Sequence, residues 1–397
     1  MSREMRHIPS GVWSLGVVSL LMDTSSELIH SLLPLFLTTA LGASAVTIGL
    51  LEGVAEATAS ITRVASGAFS DLIRKRKVLL VAGYGLAALT KPVFPLANSI
   101  LWVFVARFVD RVGKGVRGAP RDALIADLAP AELRGAAFGL RQAMDSVGAV
   151  LGPLLGVLLL TWGAVSLKGA LWFAVIPALL SVGWLIAFVP EVARAGGRRG
   201  GLGRLFSGVG RLPGSFWHVV VLGVLFGLSR FAEAFLVLRA GGTGAAIGMV
   251  PAVMVATNVC YSVSAYPAGM LADRQGRTVP LAIGIALVVV GDLILAWSTG
   301  FLQVMAGCCL WGLHLGFTQG VLAKMVADTS PPDLRGTAFG VFNLLMGVAL
   351  LLASLAAGAL WDHVGPEATF LTGAGFAAVS GLWLMMTSRK RRQGRTV

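Results

Sequence analysis

Four pairs of charged residues stand four positions apart inside apolar stretches of the first half of the chain. The pairs are Asp23 with Glu27, Glu52 with Glu56, Arg107 with Arg111, and Arg141 with Asp145, and Asp110 lies beside the third pair. Residues four apart share one face of a helix, so each pair presents its charges together. Carboxylates that meet guanidinium groups in a poorly hydrated interior have proton affinities set by those neighbours, and proton binding and release is therefore the chemistry that this pattern allows.

The composition around these charges is that of a membrane protein. The chain has 397 residues, of which 56% are hydrophobic and 13% charged, whereas soluble domains carry about 25% charged residues. A charge near the middle of a bilayer costs about 2.5–3.5 kcal/mol on insertion scales, so these groups must pair or line water. The first apolar run, residues 8–41, exceeds a secretory signal in length and is expected to remain as a span.

Apolar runs alternate with basic loops along the whole chain. Clusters such as Arg74 to Lys77 occupy every second loop, and the loops between them are nearly free of Lys and Arg, with Lys168 and Arg239 as exceptions. The positive-inside rule then predicts an even number of spans with both termini in the cytoplasm. Because the positive charges fall in loops, the formal net charge of +13 does not indicate a nucleic-acid partner.

At about 20 residues for each span, the chain length predicts an all-α membrane protein with twelve transmembrane helices. The predicted spans are 9–40, 45–69, 77–95, 100–125, 134–161, 165–190, 215–239, 244–271, 278–298, 301–327, 335–361 and 365–388. Residues 1–190 form one predicted six-helix bundle and residues 215–397 the other. A basic cytoplasmic linker, residues 191–214, joins them.

Two sequence words recur with similar offsets. Gly67-x-Phe69-Ser70-Asp71 returns about 202 positions later as Gly269-x-Leu271-Ala272-Asp273. The stretch that begins at Ala126-Asp127 returns at Ala327-Asp328 with nearly the same shift, 201 positions. A chain built from two hydrophobic copies of one half is typical of secondary transporters.

The first word, set between the second and third spans of each half, resembles the loop signature of the major facilitator superfamily. That resemblance implies two pseudo-symmetric six-helix bundles, a central cavity, and a rocking motion that opens the cavity alternately to each side. It assigns gating to the residues of the two loop words, whose acids we expect to pair with bases or with the positive end of a helix. These residues are Gly67, Asp71, Arg74, Gly269, Asp273, Arg274 and Arg277. The first copy departs from the signature, since Leu72 replaces the usual Arg and Arg74 the usual Gly.

The fifth span carries a pattern of small residues that resembles the antiporter motif of the drug-exporting branches. It consists of Gly139, Gly148, Gly152, Pro153 and Gly156. Small residues at this spacing let a second helix approach closely, and the proline bends its own helix. In the second half, Ala349 and Ala353 occupy the positions that match the second and third glycines. The motif in one half alone favours export.

The fourth span contains Arg111-x-x-Lys114-Gly115, which resembles the Arg-x-x-Gln-Gly motif of the family. The arginine of that motif is thought to take part in proton coupling, and Lys114 replaces its customary glutamine. As a hypothesis, Asp23 or Glu27 carries the transported proton and Arg111 sets its affinity. Arg107 and Asp110 complete this predicted proton-coupling set.

The second half is poorer in charge. Arg230, Glu233 and Asp292 are its main charges near mid-membrane, and Cys308 and Gly312 stand where the first half has Arg107 and Arg111. We therefore expect proton coupling in the first half and recognition of the substrate partly in the second. The candidate cavity residues are Glu52, Glu56, Arg141, Asp145, Arg230, Glu233, Asn258, His314, Gln319 and Asn343.

Together these features predict a proton-coupled efflux carrier for a small organic molecule, a monomer in a bacterial-type inner membrane. Two alternatives stay open. One is a proton-coupled symporter that imports a metabolite, an organic anion or a metal chelate, and the other is a transporter-like receptor without flux. The sequence contains no nucleophile, nucleotide-binding or metal-ligand pattern, so neither enzymatic activity, nor a cofactor, nor a metal is expected.

Overall fold

The computed structural model describes residues 8–72, 76–163, 165–191, 208–331 and 334–393, without the side chains of residues 67–72 and 388–393. This part of the chain is almost entirely helical and contains no strand. The helices of the first half are α1 (Ser10–Leu41), α2 (Ala45–Leu72), α3 (Arg76–Thr90), α4 (Val93–Leu96), α5 (Ile100–Leu128), α6 (Arg134–Thr161), α7 (Leu167–Phe173) and α8 (Val175–Phe188). Those of the second half are α9 (Gly214–Leu228), α10 (Ala234–Gly241), α11 (Ala252–Gln275), α12 (Thr278–Trp297), α13 (Phe301–Thr329), α14 (Arg335–His363) and α15 (Pro366–Gln393).

The helices have the lengths of an all-α membrane protein. Among the described residues, nine helical segments are long and apolar enough to cross a membrane. Three further segments complete the predicted twelve: α2, α5, and the pair formed by α9 and α10. Helices α2 and α5 contain 28 and 29 residues, respectively, which suffices for a core of about 30 Å. Helix α5 contains more charged residues than any other described helix.

Three of the predicted spans consist of two helices instead of one. The third is interrupted at Lys91 and Pro92, because proline has no N–H group to continue the helix. The sixth is interrupted at Ala174, and the seventh at residues 229–233, which we call the α9–α10 break. In this break the N–H of Ala232 bonds to the Ser354 hydroxyl, 3.1 Å away, instead of to a carbonyl of its own helix.

The chain divides into two compact units: Met1–Leu32 with Thr58–Leu202 (unit 1), and Leu33–Ala57 with Gly203–Val397 (unit 2). The end of α1 and the start of α2 thus group with helices of the second half. Glycines permit this packing, since a Cβ at Gly49 would lie 2.1 Å from the Ser354 carbonyl oxygen, and one at Gly358 would lie 2.6 Å from that of Ala45. Close backbone contact between helices is how membrane helices associate.

Each unit has its own core. In unit 1 fully buried side chains of α1, α3, α5 and α8 pack together, among them Leu15, Met22, Tyr84 and Leu124. In unit 2 aromatic rings pack around Phe231, whose centroid lies 5.3 Å from that of Trp311 and 5.4 Å from that of Phe370.

Arg239, an exception to the alternation of basic loops, has a structural role at the end of α12. Its guanidinium group donates to the carbonyls of Leu295, Ala296 and Ser298 and to the Ser298 hydroxyl, at 2.8–3.0 Å. The last carbonyls of a helix lack partners within it, and a cation there also meets the negative end of the helix dipole. The position of Arg239 therefore follows from helix capping.

Candidate functional site

In each unit, an ion pair connects an arginine that follows the first repeated word to the aspartate of the second repeated word. Arg76, at the start of α3, contacts Asp127 near the end of α5. In the repeat, Arg277, one position before the residue that matches Arg76, lies 3.1 Å from Asp328. The first pair is largely buried, with side chains 6% and 17% exposed, and the second is more open, at 30% and 44%.

Residues in and just after the second copy of the loop word form a further ion pair and end helix α11. Asp273, at the end of α11, pairs with Lys324 of α13. Gly276 ends α11 with a φ of 82°, a conformation that favours glycine. Gly269 faces open space and Arg274 is exposed. Of the first word, Gly67 and Asp71 lie in the last turns of α2, where side chains are outside the described part, and Arg74 lies outside the described residues.

The antiporter-like glycines of α6 lie against the acidic face of α1. A Cβ at Gly148 would stand 2.6 Å from the carbonyl oxygen of Leu20 and 3.1 Å from the Cβ of Asp23. At Gly152 it would stand 2.8 Å from the Cβ of Glu27, and closer still to the α1 backbone. Only residues without side chains allow two helices this near to each other.

The remaining members of the motif contribute differently. Pro153 lies inside α6, next to Gly152, and both Pro153 and Gly156 are buried. Gly139, near the start of α6, has nothing within 4 Å of a hypothetical Cβ. Close packing on α1 is therefore a property of Gly148 and Gly152.

The two acids of α1 have different surroundings in unit 1. The carboxylate of Glu27 lies 3.4 Å from Nδ1 of His30, and its side chain is 21% exposed. It also interacts electrostatically with Lys114 and Arg111 of α5. Lys114, which replaces the customary glutamine, is exposed and acts on Asp23 as well. A cation that acts on two neighbouring carboxylates adjusts the proton affinity of both.

A buried charge cluster lies deeper in unit 1 and includes a residue that the sequence analysis missed. Nζ of Lys91 lies 2.9 Å from Oδ1 of Asp110 and 3.0 Å from the hydroxyl of Ser26. Nε of Arg111 lies 3.3 Å from the other carboxylate oxygen of Asp110. Arg107 is also buried and acts on the same carboxylate. Arg111 thus pairs directly with Asp110, and its influence on Glu27 is longer-ranged.

The sequence does contain a signal for Lys91. It is a lone charge inside an apolar run and stands immediately before Pro92. A residue before proline avoids the helical conformation, so a chain break with a polar side chain was predictable there. The bond with Asp110 was not, because it depends on how α3 and α5 pack.

A second charge network joins α5 to α6. Nη1 of Arg141 lies 3.0 Å from Asp145, one helical turn away. Arg121, which the sequence analysis also missed, lies 3.7 Å from Asp145 and donates to the Ser19 hydroxyl at 2.9 Å. Asp122 connects to Arg63 of α2 at 3.2 Å. These cavity candidates therefore belong to a continuous network, and Asp23 lies within its electrostatic reach.

Charged candidates of unit 2 meet at the α9–α10 break. Arg230 and Glu233 both lie in it, and Arg230 interacts electrostatically with Glu233, with Tyr261 and with Glu56 of α2. Glu52, one turn before Glu56, is 2% exposed. A partly buried arginine near carboxylates is an arrangement that makes such charges tolerable inside a bilayer.

The uncharged cavity candidates differ in how far their side chains are buried. His314 of α13 is fully buried, and within the described residues neither ring nitrogen has a hydrogen-bond partner. Asn258 and Asn343 are partly buried, whereas Gln319 is exposed. No group of three or more potential metal ligands occurs in the described part of the chain.

Comparison with known proteins identifies a family to which the sequence is similar. A sequence model described as Major Facilitator Superfamily matches residues 15–239 and 233–396. An uncharacterized MFS-type transporter of Methanocaldococcus jannaschii is 33% identical over 386 residues, which cover 96% of this chain and 95% of the relative. The class H tetracycline resistance protein of Pasteurella multocida is 25% identical over 306 residues, covering 70% of this chain and 71% of that protein.

A solved structure agrees with the fold. The crystal structure of a POT family transporter in complex with a thioalcohol-conjugated peptide superposes with a TM-score of 0.83, over 96% of both chains. Its sequence identity is 14%, so the likeness concerns the arrangement of helices alone.

Proposed function

The chain belongs to the major facilitator superfamily and is a multi-pass membrane transporter, and from this premise we propose that it exports a small organic molecule in exchange for protons. Members of this fold work by exposing one binding site alternately to the two sides of the membrane. The proposal concerns the direction of transport, the driving ion and the residues responsible.

One observation carries the proposal: Gly148 and Gly152 of the antiporter-like motif pack on α1 at Asp23 and Glu27. The motif that resembles that of exporters therefore touches the helix that carries the candidate proton acceptors. A change in the α1–α6 contact would move both carboxylates relative to Lys114. Since a nearby cation favours the ionised carboxylate, such a movement changes the affinity for protons.

The proton step follows from these contacts. A proton from the outer side binds a carboxylate oxygen of Glu27 or Asp23, which weakens the attraction to Lys114. The helix then shifts and the proton leaves on the inner side, while the substrate travels outward. Asp110 remains ionised in this scheme, because Lys91 and Arg111 both bind it.

Two further features support export from a bacterial-type inner membrane. A relative that covers most of the chain is named a tetracycline resistance protein, a name that fits removal of a toxic compound. The alternation of basic loops favours cytoplasmic termini.

The test begins with a growth assay, because the transported compound is unidentified. The full chain is expressed in a drug-sensitive bacterial host, and minimum inhibitory concentrations are measured for a panel of antibiotics, dyes and organic anions. We expect resistance to at least one compound. In everted vesicles with an imposed pH gradient, that compound should collapse the gradient for the wild type and leave it intact for Glu27→Gln.

A matched control is Glu367→Gln, which neutralises an exposed acid at the start of α15. It should behave as the wild type in both assays. Increased sensitivity together with faster uptake would contradict export and indicate the import alternative. A full proton response in Glu27→Gln and in Asp23→Asn would remove both acids from the coupling step.

A further inference from the structure

A carboxyl group in unit 2 has an incomplete set of partners. Asp292 of α12 is fully buried, and its Oδ1 accepts a hydrogen bond of 2.7 Å from the indole N–H of Trp311. Within the described residues, its Oδ2 has no hydrogen-bond partner. A buried polar atom without a partner is costly and calls for an explanation.

Oδ2 meets an aromatic ring and a backbone carbonyl at Gly373. A Cβ at Gly373 of α15 would stand 2.8 Å from Oδ2, 3.1 Å from the ring of Phe231 and 3.2 Å from the carbonyl oxygen of Ser229. Glycine at this position therefore makes room for the carboxyl group. Ser229 and Phe231 belong to the α9–α10 break, so Asp292 faces the interruption of the seventh span.

Within the described part of the chain, no cation is placed to neutralise an ionised Asp292. Among the described residues, burial and the Trp311 bond are the influences that act on this carboxyl. Arg230 of the break is engaged with Glu233, Glu56 and Tyr261. His314 packs against Trp311 in an edge-to-face arrangement, with ring centroids 5.2 Å apart. The end of α9 at Leu228 also presents the negative end of a helix dipole toward the break.

We propose that Asp292 is a second proton-binding site, located in unit 2 and coupled to the α9–α10 break. The proton forms an O–H bond with Oδ2, while Oδ1 keeps the Trp311 hydrogen bond. A neutral acid is favoured at this buried position, because a carboxylate there has one neutral donor for two oxygens. When residues 229–233 move and admit water, the proton leaves to that water and the carboxylate becomes hydrated.

This site goes beyond the exchange mechanism proposed above, which uses the acids of α1. It does not depend on the direction of transport or on the identity of the substrate. Binding of a metal cation is disfavoured, since such ions take several oxygen ligands, and the groups that meet Oδ2 at Gly373 are the ring of Phe231 and a single carbonyl oxygen, that of Ser229.

The experiment uses infrared difference spectroscopy on the purified full chain in lipid nanodiscs at neutral pH. A protonated carboxyl group gives a C=O stretching band that shifts when deuterium replaces hydrogen. We expect this band in the wild type, its loss in Asp292→Asn, and no loss in the control Asp362→Asn. Trp311→Phe keeps the acid and removes its donor, so the band should remain and move to higher frequency.

If Asp292→Asn does not fold, the carboxyl band of the wild type and its frequency in Trp311→Phe still test the proposal. Absence of any such band from the wild type at neutral pH would overturn the proposal, as would a band that is unchanged in both Asp292→Asn and Trp311→Phe. Disappearance of the band when sodium chloride replaces choline chloride would identify a sodium site and also overturn it. The vesicle assay with Glu27→Gln is a separate measurement, so failure of either idea is recognised independently.

Discussion

The ammonium group of Lys91 lies 2.9 Å from the carboxylate of Asp110, and both side chains are at most 3% exposed. This pair links the break between α3 and α4 to the middle of α5. Removal of one member of a buried pair leaves an uncompensated charge and costs about 3–5 kcal/mol. Because Arg111 also contacts Asp110, the loss of Lys91 should fall at the lower end of that range.

We therefore expect Lys91→Met to lower the free energy of unfolding by about 3 kcal/mol. The measurement is denaturant unfolding in detergent micelles. The double variant Lys91→Met/Asp110→Asn should not recover the loss, since it also removes the carboxylate that the buried Arg111 contacts. Lys168→Met, at an exposed lysine, should be neutral. A Lys91→Met protein as stable as the wild type would show that Asp110 does not need this partner.

Alanine substitutions at three glycines of α6 distinguish two effects: loss of close packing on α1, and the higher helix propensity of alanine. Gly148→Ala and Gly152→Ala place a methyl group 2.6 Å from α1 backbone atoms, whereas Gly139→Ala meets open space. We expect the first two to abolish resistance and lower the melting temperature. Gly139→Ala should match or exceed the wild type, because alanine favours the helix by about 1 kcal/mol over glycine. Equal behaviour of all three variants would mean that the α1–α6 contact is not required.

The two halves of the chain allow a comparison of two similar ion pairs that differ in burial. Arg76→Gln breaks an ion pair that is largely buried, and Arg277→Gln breaks a similar, more exposed pair. We expect a loss of about 3 kcal/mol for the first and of about 0.2–1 kcal/mol for the second. High salt should weaken the second pair and affect the first little. The check is denaturant unfolding at two salt concentrations, and a larger loss for Arg277→Gln would contradict the expectation.

Asp362 of α14 caps the start of α2. Its two carboxylate oxygens accept hydrogen bonds of 3.0 and 2.9 Å from the N–H groups of Ala45 and Val46. An acid at the positive end of a helix stabilises that end. Asp362→Asn should therefore accelerate hydrogen exchange of these two amides severalfold, as measured by mass spectrometry. Glu367→Gln serves as the control, and unchanged exchange in Asp362→Asn would show that the cap does not hold this helix end.

Much of the architecture was predictable because its causes are local. A bilayer demands about 20 apolar residues for each span, and a duplicated half repeats its words, so the twelve spans and the family signature can be found along the chain. The i and i+4 rule also predicted that Arg141 and Asp145 share a helix face. Helix interruptions were partly visible, at Pro92 for example, but the α9–α10 break contains neither proline nor glycine.

The sequence by itself determined the helical class, the twofold repeat and the set of charges too costly to face lipid. Tertiary structure decided which charges meet: that Lys91 binds Asp110, that Arg76 binds Asp127, and that Asp292 has Trp311 as its donor. These pairings depend on the rotation and approach of helices that lie far apart in the chain. Periodicity defines the face of a helix on which a side chain lies, whereas close packing at glycines defines what that face touches.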